Sequence, residues 1–123
     1  ALGGYLKNYT QAINNNLRII RSIFKKVVKD KIKPLKTDEE RSSFLKETDI
    51  TEEAERLGFH IRNFQNKLAK NSPIGKELDF ICQEMQREAN TIGAKSFNAS
   101  ISTRVVQIKS LIEKLREQVQ NIE

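Results

Sequence analysis

From Ile101 to the end of the chain the apolar residues Val105, Ile108, Ile112, Leu115, Val119 and Ile122 follow in steps that alternate 4 and 3 without a fault. Only a helix of 3.6 residues per turn gathers such a set onto one stripe, and three heptads of this regularity ask for coiled-coil packing against another helix. The same spacing recurs upstream. Ile50, Ala54, Leu57, Ile61, Phe64 and Leu68 step by 4, 3, 4, 3 and 4, and Leu6, Ile13, Leu17, Ile20, Phe24 and Val27 share a third stripe. No stretch alternates apolar and polar residues long enough for a strand. The expected fold class is all-α, with long antiparallel helices in a coiled-coil-like hairpin or bundle.

The punctuation between stripes places the helix ends. The first helix runs from about Tyr5 to Ile32, and Pro34 stops it. Thr37-Asp-Glu-Glu40 has capping-box spacing and opens a short helix to about Lys46. Asp49, with Glu52 three residues on, caps the next. Asn71-Ser72-Pro73 is a break, with Ser72 as cap and Pro73 at the first helical position, and so short a connection makes its two helices antiparallel neighbours. Gly93 reads as the C-terminal stop of the following helix, and the last helix begins near Asn98 or Ser100. One helical domain results: a basic helix over 1–33, a linker or short helix over 34–48, and a three-helix region over 49–123. The narrow stripes bury little, and the first and last helices outrun their neighbours, so self-association or docking onto a missing part of the protein is expected.

Charge separates the first helix from the rest. Residues 1–36 hold nine Lys or Arg against Asp30 alone, +8, whereas the remainder holds thirteen against fifteen acids, −2. An anionic partner for the first helix follows, with Arg18, Arg21, Lys25, Lys29 and Lys36 placed to follow a phosphate backbone. Aromatics able to stack on bases are few: Tyr5, Tyr9, Phe59 (off its stripe, and so expected at the surface) and Phe97. No apolar run approaches a membrane span, no signal peptide is visible, and the lone Cys82 cannot form an internal disulfide; a reduced, cytoplasmic setting is expected. A start at Ala1 rather than Met reads as a piece of a longer protein.

One stripe breaks its own rule. Leu78, Ile81 and Met85 are followed by Glu88 before Ile92 resumes the apolar face. With Leu78 and Met85 at heptad position a, Ile81 and Glu88 fall at d, and Glu84 lies beside the seam at g. On the preceding helix Glu53 and His60 are also at g. A carboxylate in a seam needs a hydrogen-bonding partner, a counter-charge or a metal. Brought together by antiparallel pairing, Glu53, His60, Glu84 and Glu88 would suit a divalent cation or acid–base work. Yet Glu53 and His60 lie roughly 10.5 Å apart along the axis at 1.5 Å per residue, and only Glu84 and Glu88 have the i, i+4 spacing of helix-borne ligand pairs. Asp79 and Gln83 face away from the stripe, toward solvent. Gly75-Lys76 lacks the earlier glycine and the preceding strand of a phosphate loop, and there is no Ser/His/Asp set or CxxC pair.

Leu78-Asp79-Phe80, Gln83-Glu84-Met85, Arg87-Glu88 and Asn90-Thr91-Ile92-Gly93 closely resemble the C-terminal domain of the YicC-like bacterial proteins. The resemblance extends to Asp49-Ile50-Thr51-Glu52-Glu53, to Arg56-Leu57 with His60, and to the ending from Leu115 to Glu123. Ala94, Asn98 and Ser100 depart from the usual Ser, Asp and Glu, and the stretch from Lys33 to Thr48 is short. The resemblance implies a bacterial cytoplasmic endoribonuclease that cuts single-stranded RNA with a divalent cation, Mg²⁺ or Mn²⁺. It implies a ring-like homo-oligomer, and an N-terminal domain rich in β structure beyond this chain. The matching polar residues are Glu52, Glu53, Arg56, His60, Asp79, Gln83, Glu84, Arg87, Glu88, Asn90, Thr91 and Lys95. On that basis Glu53, Glu84 and Glu88 are the expected metal ligands, and His60, Glu84 and Glu88 the catalytic groups. Arg56, Arg87 and Lys95 join the basic residues of the first helix on RNA. The rival expectation is a non-catalytic oligomerisation or RNA-binding module of a larger protein.

Overall fold

The computed structural model describes residues 2–70 and 75–121, with side chains from residue 4. The described residues form helices α1 (Leu2–Ile32), α2 (Asp38–Thr48), α3 (Thr51–Ala69), α4 (Gly75–Lys95) and α5 (Ala99–Gln120), and no strand. The all-α expectation holds. Among the described residues no helix is long and apolar enough to cross a membrane. The Asn71-Ser72-Pro73 break and the last stripe residue, Ile122, lie outside the described residues.

Paired contacts fix the direction of each helix. Lys67 meets Glu77 at 3.4 Å, Arg56 meets Glu88 at 3.1 Å and Lys95 meets Glu53 at 3.2 Å, so α3 and α4 run antiparallel. Arg116 meets Asp79 at 3.1 Å while Val105 faces Gly93, so α4 and α5 are antiparallel too. On α1, Thr10 accepts from Gln65 at 3.4 Å and Leu17 lies beside Gly58, reversing α1 against α3. Asn16 accepts from Arg104 at 3.2 Å and Phe24 meets Phe97, reversing α1 against α5. With contacts α1–α3, α3–α4, α4–α5 and α5–α1, the four long helices close into an up-down-up-down bundle.

The stripes therefore cover one another inside one chain. Leu6, Ile13, Leu17 and Ile20 of α1 are as buried as Leu57, Ile61 and Phe64 of α3 and Ile108, Ile112 and Leu115 of α5. Within the chain, α1 covers the stripes as the fourth wall of the bundle. Each buried Leu, Ile or Phe contributes about 1.5–3 kcal/mol relative to exposure. Two boundary expectations change. Gly93 does not end α4, which continues to Lys95. A Cβ on Gly93 would sit 3.2 Å from Val105 Cγ1, so the missing side chain serves the close approach of α5. Nor does Asp49 cap in the expected register. Its carboxylate accepts from the Thr51 N–H at 3.0 Å and from the Thr51 hydroxyl, one position before the N-cap residue Ile50.

Thr37 caps α2 as expected, accepting from the Glu40 N–H at 3.1 Å. This short helix is a strap rather than a wall. Phe97, in the α4–α5 turn, takes Phe24 edgewise at 6.5 Å and Phe44 at 5.2 Å, which ties α1, α2 and the turn together at the end of the bundle that carries the start of α3.

Candidate functional site

Antiparallel register sets the first turn of α3 against the last turn of α4. Acids belong at a helix N-terminus and cations at a C-terminus, and Glu53 and Lys95 occupy those places. Glu53 is 6% exposed. Lys95 Nζ donates to both of its carboxylate oxygens at 3.2 Å and to the Asp49 carbonyl at 3.1 Å, using all three ammonium hydrogens. Arg56, one turn along, reaches three acids: Nε to Glu88 at 3.1 Å, Nη2 to Glu53 at 3.4 Å and Nη1 to Glu52 at 3.4 Å. The bond to Glu88 leads the interactions that raise the Arg56 pKa. Asp49 is held below the usual carboxylate range, first by the Thr51 hydroxyl and then by the Thr51 N–H.

The acid in the α4 stripe is thus answered by a guanidinium. The apolar face of α4 also includes the fully buried Cys82 and Ala89, so its centre is turned toward α5 and Glu88 sits on its α3 edge. Asp79 does not face open solvent as expected. It accepts from Arg116 at 3.1 Å and from Gln83 at 2.9 Å, and lies beside Cys82. Burial, and then Asp79, push the Cys82 thiol up to about 12, so it is no ready nucleophile.

His60 and Glu84 occupy a different place on the same pair of helices. They line a cleft of about 490 Å³ with Phe59, Asn63, Lys76 and Phe80. His60 is half-buried, with the Phe59 ring edge-on at 5.6 Å. Glu84 has one loose ion pair, with the largely exposed Arg87 at 3.9 Å. The four residues expected to converge are therefore divided. Glu53 and Glu88 meet at Arg56, while His60 and Glu84 share the cleft.

Among the described residues no group of three His, Cys, Asp or Glu side chains is placed to hold a metal ion together. Glu53 and Glu88 already carry Arg56 and Lys95 as counter-charges. In one chain, Glu53 and Glu88 are thus matched by cations, and Glu84 is the expected metal ligand that stands apart from them. Lys95 and Arg56, expected on RNA, are engaged internally, Lys95 wholly and Arg56 with half its surface exposed. Arg18, Arg21, Lys25 and Lys29 are exposed along α1, and Arg21 and Lys25 rim a groove between α1 and α3. In the sequence Lys76 stands out only within the rejected phosphate loop, Phe80 only within the family motif and Asn63 not at all, although Phe80 is off its stripe, as Phe59 is.

Residues 6–123 match the family described as endoribonuclease YicC-like, C-terminal, and the chain belongs to that family. Two relatives carry the same name, probable endoribonuclease YicC. The protein of Haemophilus influenzae is 41% identical over 90 residues, 73% of this chain and 31% of its own length. That of Clostridioides difficile is 46% identical over 85 residues, 69% of this chain and 29% of its own. The chain thus matches less than a third of the length of either relative.

Proposed function

We propose that this chain is the helical part of an endoribonuclease acting on single-stranded RNA, with chemistry on the α3–α4 face and the phosphate backbone guided by α1. The observation that carries the reading is the shared cleft: His60 and Glu84, on adjacent helices, open to solvent beside Arg87. An imidazole is the side chain suited to giving and taking protons near neutral pH. In this reading His60 moves the proton at the phosphodiester, Glu84 takes up hydrogen bonds across the cleft, and Arg87 offsets phosphate charge. Lys95, Glu53, Arg56 and Glu88 hold α3 and α4 in register beneath it. Mg²⁺ or Mn²⁺ enters through the family resemblance, and no step is assigned to it on the acids of one chain. A ring-like homo-oligomer and a further N-terminal domain belong to the proposal on the same ground.

The test is cleavage of a labelled single-stranded RNA by the protein at its full natural length. His60→Ala is expected to lose about 10²-fold or more in rate, the usual scale of general acid–base catalysis. Glu84→Gln should fall markedly and Glu88→Gln less. Undiminished cleavage in both His60→Ala and Glu84→Gln would overturn the assignment, and a chelator arm decides the need for a divalent cation. A second reading, an RNA-binding module without chemistry of its own, rests on the exposed cations of α1. Tight RNA binding without cleavage by the full-length protein would select it.

A further inference from the structure

Most large apolar side chains of this bundle are turned inward, but Phe59 and Phe80 are 57% and 61% exposed. They stand on adjacent helices, and both line the cleft that holds His60 and Glu84. Phe59 touches His60 only edge to face, at an interplanar angle of 69°, which leaves a ring face to the solvent. Around this apolar floor the rim is polar: Asn63 offers an amide, Glu84 a carboxylate, Lys76 an ammonium with no ion pair among the described residues, and Lys67 and Glu77 pair with each other at 3.4 Å.

From this arrangement we infer that the cleft is a nucleobase pocket, in which an unpaired RNA base stacks on Phe59 and Phe80 while Lys76 holds its phosphate. The inference rests on the ribonuclease reading above and adds the element that places a base beside His60. A free base presents two apolar faces and an edge of donors and acceptors, and it stacks on aromatic rings whatever its identity. A cleft with aromatic faces and an amide and carboxylate at its rim matches both demands. A protein partner fits less well, because the buried centre of a protein interface is depleted of charged residues, whereas Lys67, Lys76, Glu77 and Glu84 line the same cleft as the rings. About 490 Å³ is also room for a nucleotide.

These 123 residues contain no tryptophan, so Phe59→Trp and Phe80→Trp each add a fluorescent reporter in the cleft, read against the parent protein as background. With the full-length protein, quenching of both reporters by short oligo(U) and oligo(A) is expected. Phe59→Leu and Phe80→Leu keep an apolar side chain but remove the ring. Each should weaken single-stranded RNA roughly ten-fold, and the Trp variants should bind at least as well as the parent. Circular dichroism confirms that the helices are intact. Cleavage of an RNA carrying one abasic position should fall at the bond beside that position and persist elsewhere. Unchanged RNA affinity in both Leu variants, with the parent binding RNA, overturns the pocket and leaves the ribonuclease reading standing. So does a change of sedimentation without a change in RNA affinity, which would assign the rings to a protein contact. No RNA binding by the parent protein overturns both.

Discussion

Arg56 on α3 and Glu88 on α4 meet at 3.1 Å, and the same guanidinium reaches Glu53 at 3.4 Å. One cation thereby bridges two acids of adjacent helices, at a point where Glu88 interrupts an apolar stripe and Glu53 is buried. Breaking a partly buried network costs more than its net worth, because the remaining charges are left desolvated. The partners here are partly solvated, Lys95 at 29% and Arg56 at 50% side-chain exposure, so the cost falls well short of a fully buried pair. Glu53→Ala is expected to lower stability by about 1–2 kcal/mol, and Glu52→Ala, at an exposed position, by less than about 0.5 kcal/mol. Urea midpoints of the two variants check the ordering. Equal midpoints would remove Glu53 from its proposed role.

A second prediction concerns the α4–α5 seam. Ala at position 93 would gain up to about 1 kcal/mol of helix propensity, but its Cβ would press on Val105 at 3.2 Å. Gly93→Val adds bulk that the buried Val105 has no room to accommodate, and overpacking of this kind costs about 1–3 kcal/mol. Gly93→Val together with Val105→Ala should recover part of the loss. A melting temperature for Gly93→Val equal to that of the parent would show that α5 stands off α4.

Cys82 gives the chain a pH dependence at the alkaline side. An ordinary thiol ionises near 9.0, whereas in the fold the proton is held to about 12. The stability this represents is complete below pH 9, and it drains away as the pH climbs toward 12, because the unfolded chain gains by releasing the proton and the folded one does not. The effect is of order a few kcal/mol over the whole interval. Urea midpoints between pH 8 and pH 11 should fall more steeply for the parent than for Cys82→Ala, in which every other titrating group is retained. A thiol reagent should label the folded parent only at the rate of unfolding.

The bundle was legible because each long helix carries its own stripe at 3- and 4-residue steps, and those stripes point to mutual packing whatever the connection between them. What pattern did not disclose was closure. α1 reads as a basic helix, yet Leu6, Ile13, Leu17 and Ile20 are core, since exposed lysines and a buried stripe coexist on opposite faces of one helix. Gly93 misled because a glycine near a helix end has two uses, and only the position of Val105 tells them apart. Glu88 was rightly singled out as an acid needing a partner. Its partner could not be read off, because a metal, a lysine and an arginine satisfy the same local pattern, and the choice depends on where α3 places Arg56. For the same reason Glu53 and His60, both at g and two helical turns apart, are led to different neighbours on α4.

The last prediction separates the α1 surface from the α3–α4 face. Arg18, Lys25 and Lys29 are exposed on α1 and do not touch the cleft that holds His60. If they follow a phosphate backbone, each releases condensed counterions on binding, and log K against log[salt] for single-stranded RNA should lose about 0.7 of slope for each cation removed. Arg18→Ala, Lys25→Ala and Lys29→Ala should weaken binding to all sequences alike. The rate of cleavage at saturating RNA should stay unchanged, because none of them reaches the reacting bond. Phe80→Leu should do the reverse, leaving the salt slope as it is while lowering affinity, since stacking releases no ions. Fluorescence anisotropy at several salt concentrations measures both quantities. An unchanged slope in all three α1 variants would take the phosphate backbone off this helix.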